Sequence, residues 1–291
     1  VKSNRNQSVG DLGAVIFLTQ MTRIIEGGPD ERRRYLNLCI AQSNPAYTRA
    51  LSEFNQAVTQ RNALLKMLSE RGGDPDQLVY WDEVISTRGA IIIKARIEAT
   101  KEIEILAKRI HEKLTGAAEV IHLDYQPSYD PVPRPNGQFA LRLIDHVPRD
   151  NYSLDELIKG YAARLLEARG EEISRGVTTI GPHRDEMRVM CNGIDLTDFG
   201  SRGQVRTGIL SLKLAEVEWL REKTGEWPIL LLDETLAELD RPRRNFLLDT
   251  LKQAEQAILT TTDTNLFPSE FVHSCEQWQV TSGNVEPTRS V

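Results

Sequence analysis

Cysteine is scarce in this sequence. Cys39, Cys191 and Cys275 lie far apart and form no C-x-x-C pair. That spacing argues against a disulfide framework and against a zinc site, and it fits a reducing cytoplasm. Long apolar runs are lacking too: none reaches the ~20 residues that a bilayer-crossing helix needs, and no signal peptide opens the chain. Nor is there an excess of positive charge. The 36 Lys and Arg against 42 Asp and Glu leave a net charge of −6, which does not advertise a nucleic-acid binder. It does not exclude one, because phosphate contact depends on local basic patches rather than the total. One such cluster is "ERRRY", Glu31 to Tyr35, and others are scattered from Lys94 to Lys113; each reads either as a solvated helix face or as a phosphate contact. What remains is ordinary globular composition, with 40% hydrophobic and 27% charged residues over 291 positions. That is enough for one large domain or two smaller ones.

Along the chain, "AVIFL" (residues 14–18) reads as a short buried strand, with Gln20 just past its end. "GGPDERRRYLNLCIA" then reads as a helix start: Gly27 and Gly28 break the chain, Pro29 suits the first turn, and Asp30 and Glu31 favour the N-terminal dipole. From Ala46 to Glu70 the residues Tyr47, Leu51, Phe54, Val58, Leu65 and Leu68 fall on one stripe, interrupted only by Arg61. "RGGDPD" is a turn, and Ile92, Ala99, Ile103, Leu106 and Ile110 form a second stripe. The pair predicts an antiparallel helical hairpin, either an ordinary helical subdomain or a protruding arm. "QPSYDPVPRPNG" reads as a connector, and Ser153 with Glu156 as a capping box. From Val177 short strands ("VTTI", "EMRVMC", "PILLL", "QAILTTT", "QWQV") alternate with helices over 205–223 and 242–254, which predicts an α/β fold with parallel pairing. The tail from Gly283 to Val291 shows no pattern.

Two adjacent carboxylates, Asp233 and Glu234, end the apolar run in "PILLLDETLAELD". A plain strand end is one reading. In an α/β sheet, however, ligands bind beyond the carboxyl ends of the strands. There one carboxylate can order the waters of Mg²⁺ and a second can orient or deprotonate a water that attacks phosphate. Upstream, "FGSRGQVRTGILSLKLAEVEWL" starts a helix on Gly200, Ser201, Arg202, Gly203 and Gln204. Free backbone N–H groups, a hydroxyl and the positive helix end have the composition of an anion site, and equally of a capped helix.

In that order the elements resemble the C-terminal half of an ABC-type ATPase head, with "SRGQ" as the signature loop, "ILLLDE" as the Walker B strand and "AELD" as the D-loop. Within that class "GPHRDEM" (181–187), "EGGPDERRRYLN", "YTRALSEFNQAVTQRNALLK" and "ILTTTD" resemble the RecF family of bacterial recombination mediators over nearly all of the chain. The section from Gln126 to Val147 is the least familiar. The resemblance implies a partial ABC-type head with an inserted helical hairpin. Residues 1–28 would be a remnant of the N-terminal lobe, 29–125 the hairpin, 126–150 a connector, and 151–291 the C-terminal lobe.

By the same resemblance two heads dimerise around ATP. Asp233 would order Mg²⁺ and Glu234 would be the catalytic base of a slow, DNA-stimulated ATPase. Ser201, Arg202, Gly203 and Gln204 would meet the γ-phosphate held by the opposite subunit, with Asp240 nearby. Gln20 would be the Q-loop glutamine. No histidine switch is assigned, since the relevant strand runs into Thr260, Thr261, Thr262 and Asp263. The chain contains no G-x-x-x-x-G-K-[ST] phosphate loop, so the lobe that carries it should precede Val1, and these residues alone should bind ATP poorly. The implied partners are DNA at gaps and junctions, RecR and RecO, in the cytoplasm near the nucleoid and with no membrane contact. Rival readings are another head of the SMC kind, disfavoured by the short arm, and a non-enzymatic DNA- or protein-interaction module.

Overall fold

The computed structural model describes residues 13–132 and 149–288; most of the proposed connector lies outside the described residues. Alternation in the first apolar run buries Val15 and Phe17 and forms β1 (Ala14–Leu18). A 3-10 turn and one helical turn, α1 (Arg23–Glu26), lead to α2 (Pro29–Ser43), which starts on Pro29 with Asp30 and Glu31 in its first turn.

The hairpin consists of α3 (Pro45–Arg71) and α4 (Val79–Thr115). Asn44 caps α3 by accepting from the Tyr47 N–H at 2.9 Å. Arg61 meets Asp82 while Arg88 meets Glu53, so the two helices run antiparallel. Arg61 does not interrupt the buried stripe. It is fully buried, with Nε 2.8 Å from Asp82 Oδ1 and Nη1 2.6 Å from Glu172 Oε2. A charge can occupy a core position only when it is paired in this way. The base of the hairpin shares one core with the rest of the molecule: Ile92, Ile103 and Ile110 join Phe17 and Ile209. Among the described residues only Leu65, Leu68 and Leu78, toward the tip, form a separate cluster.

After α4 comes a strand that the sequence reading did not contain, β2 (Ile121–Gln126), whose alternation buries Ile121, Leu123 and Tyr125. Beyond it α5 (Leu154–Arg175) begins on the expected Ser153–Glu156 capping box. "VTTI" is not a strand. Thr178 N–H donates to Asn62 Oδ1 at 2.8 Å and Thr179 N–H to Glu172 Oε1 at 2.6 Å, so side chains take the donors a sheet would need. "EMRVMC" is a strand, β3 (Glu186–Cys191), but it pairs antiparallel with β2 and with the short β4 (Ile194–Asp195) in a sheet of its own. The expectation of parallel pairing therefore fails for this strand.

It fails too for "QWQV", which pairs antiparallel in a two-stranded sheet, and it holds for "PILLL" and "QAILTTT". After α6 (Leu196–Phe199) and α7 (Arg202–Thr224), β5 (Ile229–Asp233) runs parallel between β1 and, beyond α8 (Arg241–Leu251), β6 (Ala257–Thr260). Val205, Ile209, Leu212 and Trp219 of α7 are all buried, and α7 packs against α4, α2 and β1. Its buried Lys213 lies 2.6 Å from Glu216 and rests over the rings of Phe17 and Tyr35. After α9 (Ser269–His273), β7 (Trp278–Thr281) and β8 (Asn284–Pro287) form a hairpin. The tail is thus not patternless up to Pro287. Ser282 and Gly283 both adopt positive φ, the two-residue turn that lets a hairpin close.

Candidate functional site

Parallel register brings the predicted residues to one end of the β1–β5–β6 sheet. Leu18 is level with Asp233, and Asp233 with Thr260, so Gln20, Asp233, Glu234 and the threonine run all follow the same edge. Gln20 is exposed in the 3-10 turn after β1. Asp233 is exposed and oriented: its Oδ1 accepts from Thr260 Oγ1 at 2.5 Å. Glu234 is half-buried and holds a left-handed backbone, φ +51° and ψ +10°, as the chain turns sharply off the strand. A long side chain in that conformation costs about 1 kcal/mol or more, and such strain clusters at functional sites.

The start of α7 is built as a capping box. Ser201 Oγ accepts from Gln204 N–H at 3.2 Å and Gln204 Oε1 accepts from Ser201 N–H at 3.1 Å. Ser201, Arg202 and Gly203 are exposed. An added Cβ at Gly203 would meet nothing closer than Ser201 Oγ at 4.0 Å, so the glycine leaves open space over the helix end. Gln204 Nε2 reaches back to Glu119 Oε1 at 3.0 Å, tying this turn to the loop before β2. Asp240 caps α8, its Oδ1 accepting from Arg243 N–H at 3.1 Å, and is exposed.

These pieces form a shared surface rather than a closed pocket. A cavity of about 270 Å³ runs between Thr19 and Thr22 after β1, Arg202 and Arg206 on α7, and Thr235 and Glu238 after β5. Arg206 pairs with Glu238 across it. Of the predicted residues only Arg202 lines that cavity; Ser201, Gly203, Asp233, Glu234 and Asp240 lie outside its lining.

The basic cluster divides. Arg32 is buried, forked onto Glu186 at 2.6 and 2.7 Å, with Nη1 also donating to Gly27 O at 2.6 Å. The hydrogen bond to Glu186 raises its pKa further and outweighs burial. Arg33 donates to Asp185 O at 2.7 Å and pairs with Asp30. Arg34 alone of the three is exposed. The segment that reads as one basic run is therefore two structural clamps and one solvent-facing charge.

Sequence reasoning missed what "GPHRD" does. Its Asp185 is fully buried, accepting from Arg96 Nη1 at 2.7 Å, from Ser128 N–H at 2.8 Å and from the Tyr125 hydroxyl. Arg96 also reaches Pro182 O at 2.7 Å and Asn37 Oδ1 at 2.8 Å. The surrounding charge and hydrogen bonds outweigh burial and hold the Arg96 guanidinium firmly protonated. The motif thus joins α2, α4, β2 and β3 at the root of the hairpin. Arg96, at a core position of the second stripe, was the one signal for it.

A three-stranded parallel sheet flanked by helices, with the paired acids at its carboxyl edge, defines the class: part of an ABC-type ATPase head. No model of a known protein family matches the chain. Individual relatives do. It is 35% identical over 282 residues to the DNA replication and repair protein RecF of Herpetosiphon aurantiacus, covering 96% of this chain and 67% of that protein. It is 38% identical over 259 residues to the same-named protein of Acetivibrio thermocellus, covering 89% and 65%. The solved structure of the recombination mediator protein RecF–ATPrS, of the RecFOR pathway, superposes with a TM-score of 0.83 at 28% identity over 99% of this chain and 71% of that one. A RecF–ATP structure does so with a TM-score of 0.79. The chain belongs to the RecF family of DNA replication and repair proteins, and it spans about two thirds of the length of these relatives.

Proposed function

We propose that this chain supplies the acting half of a RecF-type ATPase site: the half that meets phosphates held elsewhere. The single observation that carries this is the pair at the end of β5. Asp233 is exposed and held by Thr260, while Glu234 leaves the strand in a left-handed backbone conformation. In the 291 residues no phosphate loop occurs, so these residues by themselves bind ATP weakly.

Asp233 has the donor chemistry that Mg²⁺ prefers: a hard oxygen, accessible to solvent, with room for the waters that the ion keeps. When bound there, Mg²⁺ supplies charge neutralisation at the β- and γ-phosphates. Glu234 orients the attacking water and accepts its proton. Ser201, with Arg202, Gly203 and the Gln204 turn, offers a hydroxyl, free backbone N–H groups and a guanidinium to a γ-phosphate presented by a second copy of the head. Asp240 lies at the same surface, and Gln20 couples the sheet edge to the helices that follow it. Because Ser201 is exposed, closure of two heads can bring it against the nucleotide held by the opposite head. ATP-dependent dimerisation, in turn, controls binding to DNA at gaps and junctions through surfaces that include Arg34. The protein then works with RecR and RecO to help load recombinase.

The test is Glu234→Gln in the chain joined to the phosphate-loop lobe of its family. Turnover should fall to background while nucleotide binding and dimerisation persist. Undiminished turnover would remove Glu234 from the role of base, and DNA affinity indifferent to ATP would remove the nucleotide control.

A further inference from the structure

Behind the start of α7, three side chains from distant parts of the chain converge. His111 comes from near the end of α4, Glu119 from the loop before β2, and Cys191 from the end of β3; one donor atom of each lies within 4.8 Å of the others. His111 Nε2 is 3.4 Å from Glu119 Oε2 and 4.0 Å from Cys191 Sγ. His111 and Cys191 are 0% and 1% exposed, and the Glu119 side chain 23%, so the cluster is enclosed with one way in.

The hydrogen bonds around His111 settle which way its ring is protonated. Ser211 Oγ donates its only proton to Thr207 O at 2.8 Å, so at 2.9 Å from His111 Nδ1 it can only accept. Nδ1 therefore carries the hydrogen. The lone pair of Nε2 then points at a carboxylate oxygen and a sulfur. Three ligand atoms of N, O and S type converge on one point.

The spacing suits a small tetrahedral ion. Zinc bonds of about 2.0–2.3 Å put ligand atoms roughly 3.3–3.6 Å apart; the N···O separation already fits, and the sulfur needs to close by about half an ångström, a small side-chain rotation. The outer contacts are those of a metal site as well. Ser211 orients His111 through its other nitrogen, and Gln204 Nε2 occupies Glu119 Oε1 at 3.0 Å, leaving Oε2 for the ion.

We propose that His111, Glu119 and Cys191 form a Zn²⁺ site, with water as the fourth ligand, that ties α4 and the β2–β3 sheet to the start of α7. The mixed N, O and S donors select a borderline-soft divalent ion over Mg²⁺. Binding replaces the thiol proton of Cys191, which passes to solvent, by a sulfur–zinc bond. The proposal does not depend on the ATPase reading, since none of the three ligands belongs to that site.

The test is titration of metal-stripped protein with Co²⁺ and then Zn²⁺. One equivalent of Co²⁺ should give thiolate-to-metal charge-transfer absorption that Zn²⁺ abolishes, and Zn²⁺ should raise the melting temperature. Cys191→Ser should remove the absorption. Glu119→Gln, isosteric at a partly exposed position and therefore safe for folding, should weaken Zn²⁺ binding by at least about 100-fold, and Ser211→Ala by about 10-fold. Failure of the parent protein to bind one equivalent would overturn the site and leave His111 and Glu119 to share a proton instead. Full affinity in both Cys191→Ser and Glu119→Gln would overturn it too, because the ion would then sit elsewhere.

Discussion

Replacing Asp185 by Asn tests whether the motif that identifies this family is a structural lock. The substitution keeps the shape of the side chain and removes its charge. Among the described residues Asp185 is the only carboxylate on the Arg96 guanidinium, and the two are 0% and 1% exposed. Arg96 would keep neutral acceptors in Pro182 O at 2.7 Å, Asn37 Oδ1 at 2.8 Å and the Tyr47 hydroxyl at 3.1 Å. Breaking a buried pair from one side costs about 3–5 kcal/mol, and the three remaining acceptors put this case at the low end, about 3 kcal/mol. Against a total of about 5–15 kcal/mol for a folded domain, that is a large share. At about 2–4 °C per kcal/mol the melting temperature should drop by roughly 6–12 °C. Urea and thermal unfolding followed by circular dichroism measure both quantities. Adding Arg96→Met should restore part of the loss, because the uncompensated charge is then gone. A melting temperature within a degree or two of the parent for Asp185→Asn alone would refute the argument.

Acid should weaken the protein through Glu104. Burial alone raises its pKa, but His122, Lys108 and the Leu123 N–H together bring it from 4.5 down to about 2. A depressed folded value adds stability above pH 4.5 that is lost as the pH falls through 4.5 toward 2, so Glu104→Gln should flatten that part of a stability–pH profile. Glu234→Gly should relieve the left-handed backbone and raise stability by about 0.5–1 kcal/mol in urea unfolding, while removing the proposed catalytic base. Ser201→Ala should cost about 1 kcal/mol through the lost cap, read by the same assay. In a DNA-binding titration Arg34→Ala should lower the salt slope by about one without changing stability. Arg32→Ala should instead unfold the protein at lower urea, because it strips a buried fork from Glu186.

Features that depend on a few neighbouring residues were legible in advance. Pro29 and two acids start α2, Ser153 with Glu156 builds a capping box, the glycine-serine stretch at 200–203 starts a helix, and the apolar run at 14–18 makes a strand. The Asp-Glu pair could be expected at a strand's carboxyl end because a run of aliphatics ends there. Each of these is decided within a turn or two of chain, by hydrogen bonds and side-chain spacing that a sequence carries by itself.

What only the tertiary structure decided concerns partners far along the chain. "EMRVMC" could have joined the parallel sheet, but β2, some sixty residues earlier, takes its edge. "VTTI" has strand composition, yet Asn62 and Glu172 bond its backbone first. Arg61 and Arg32 look like solvated charges until Asp82, Glu172 and Glu186 come to meet them. His111, Glu119 and Cys191 have no metal-binding spacing at all in the sequence; packing of α4 against α7 and the pairing of β2 with β3 bring them together. The physical reason is common to all four. A polar group's role depends on whether water or another side chain satisfies it, and that is settled only when remote segments close around it.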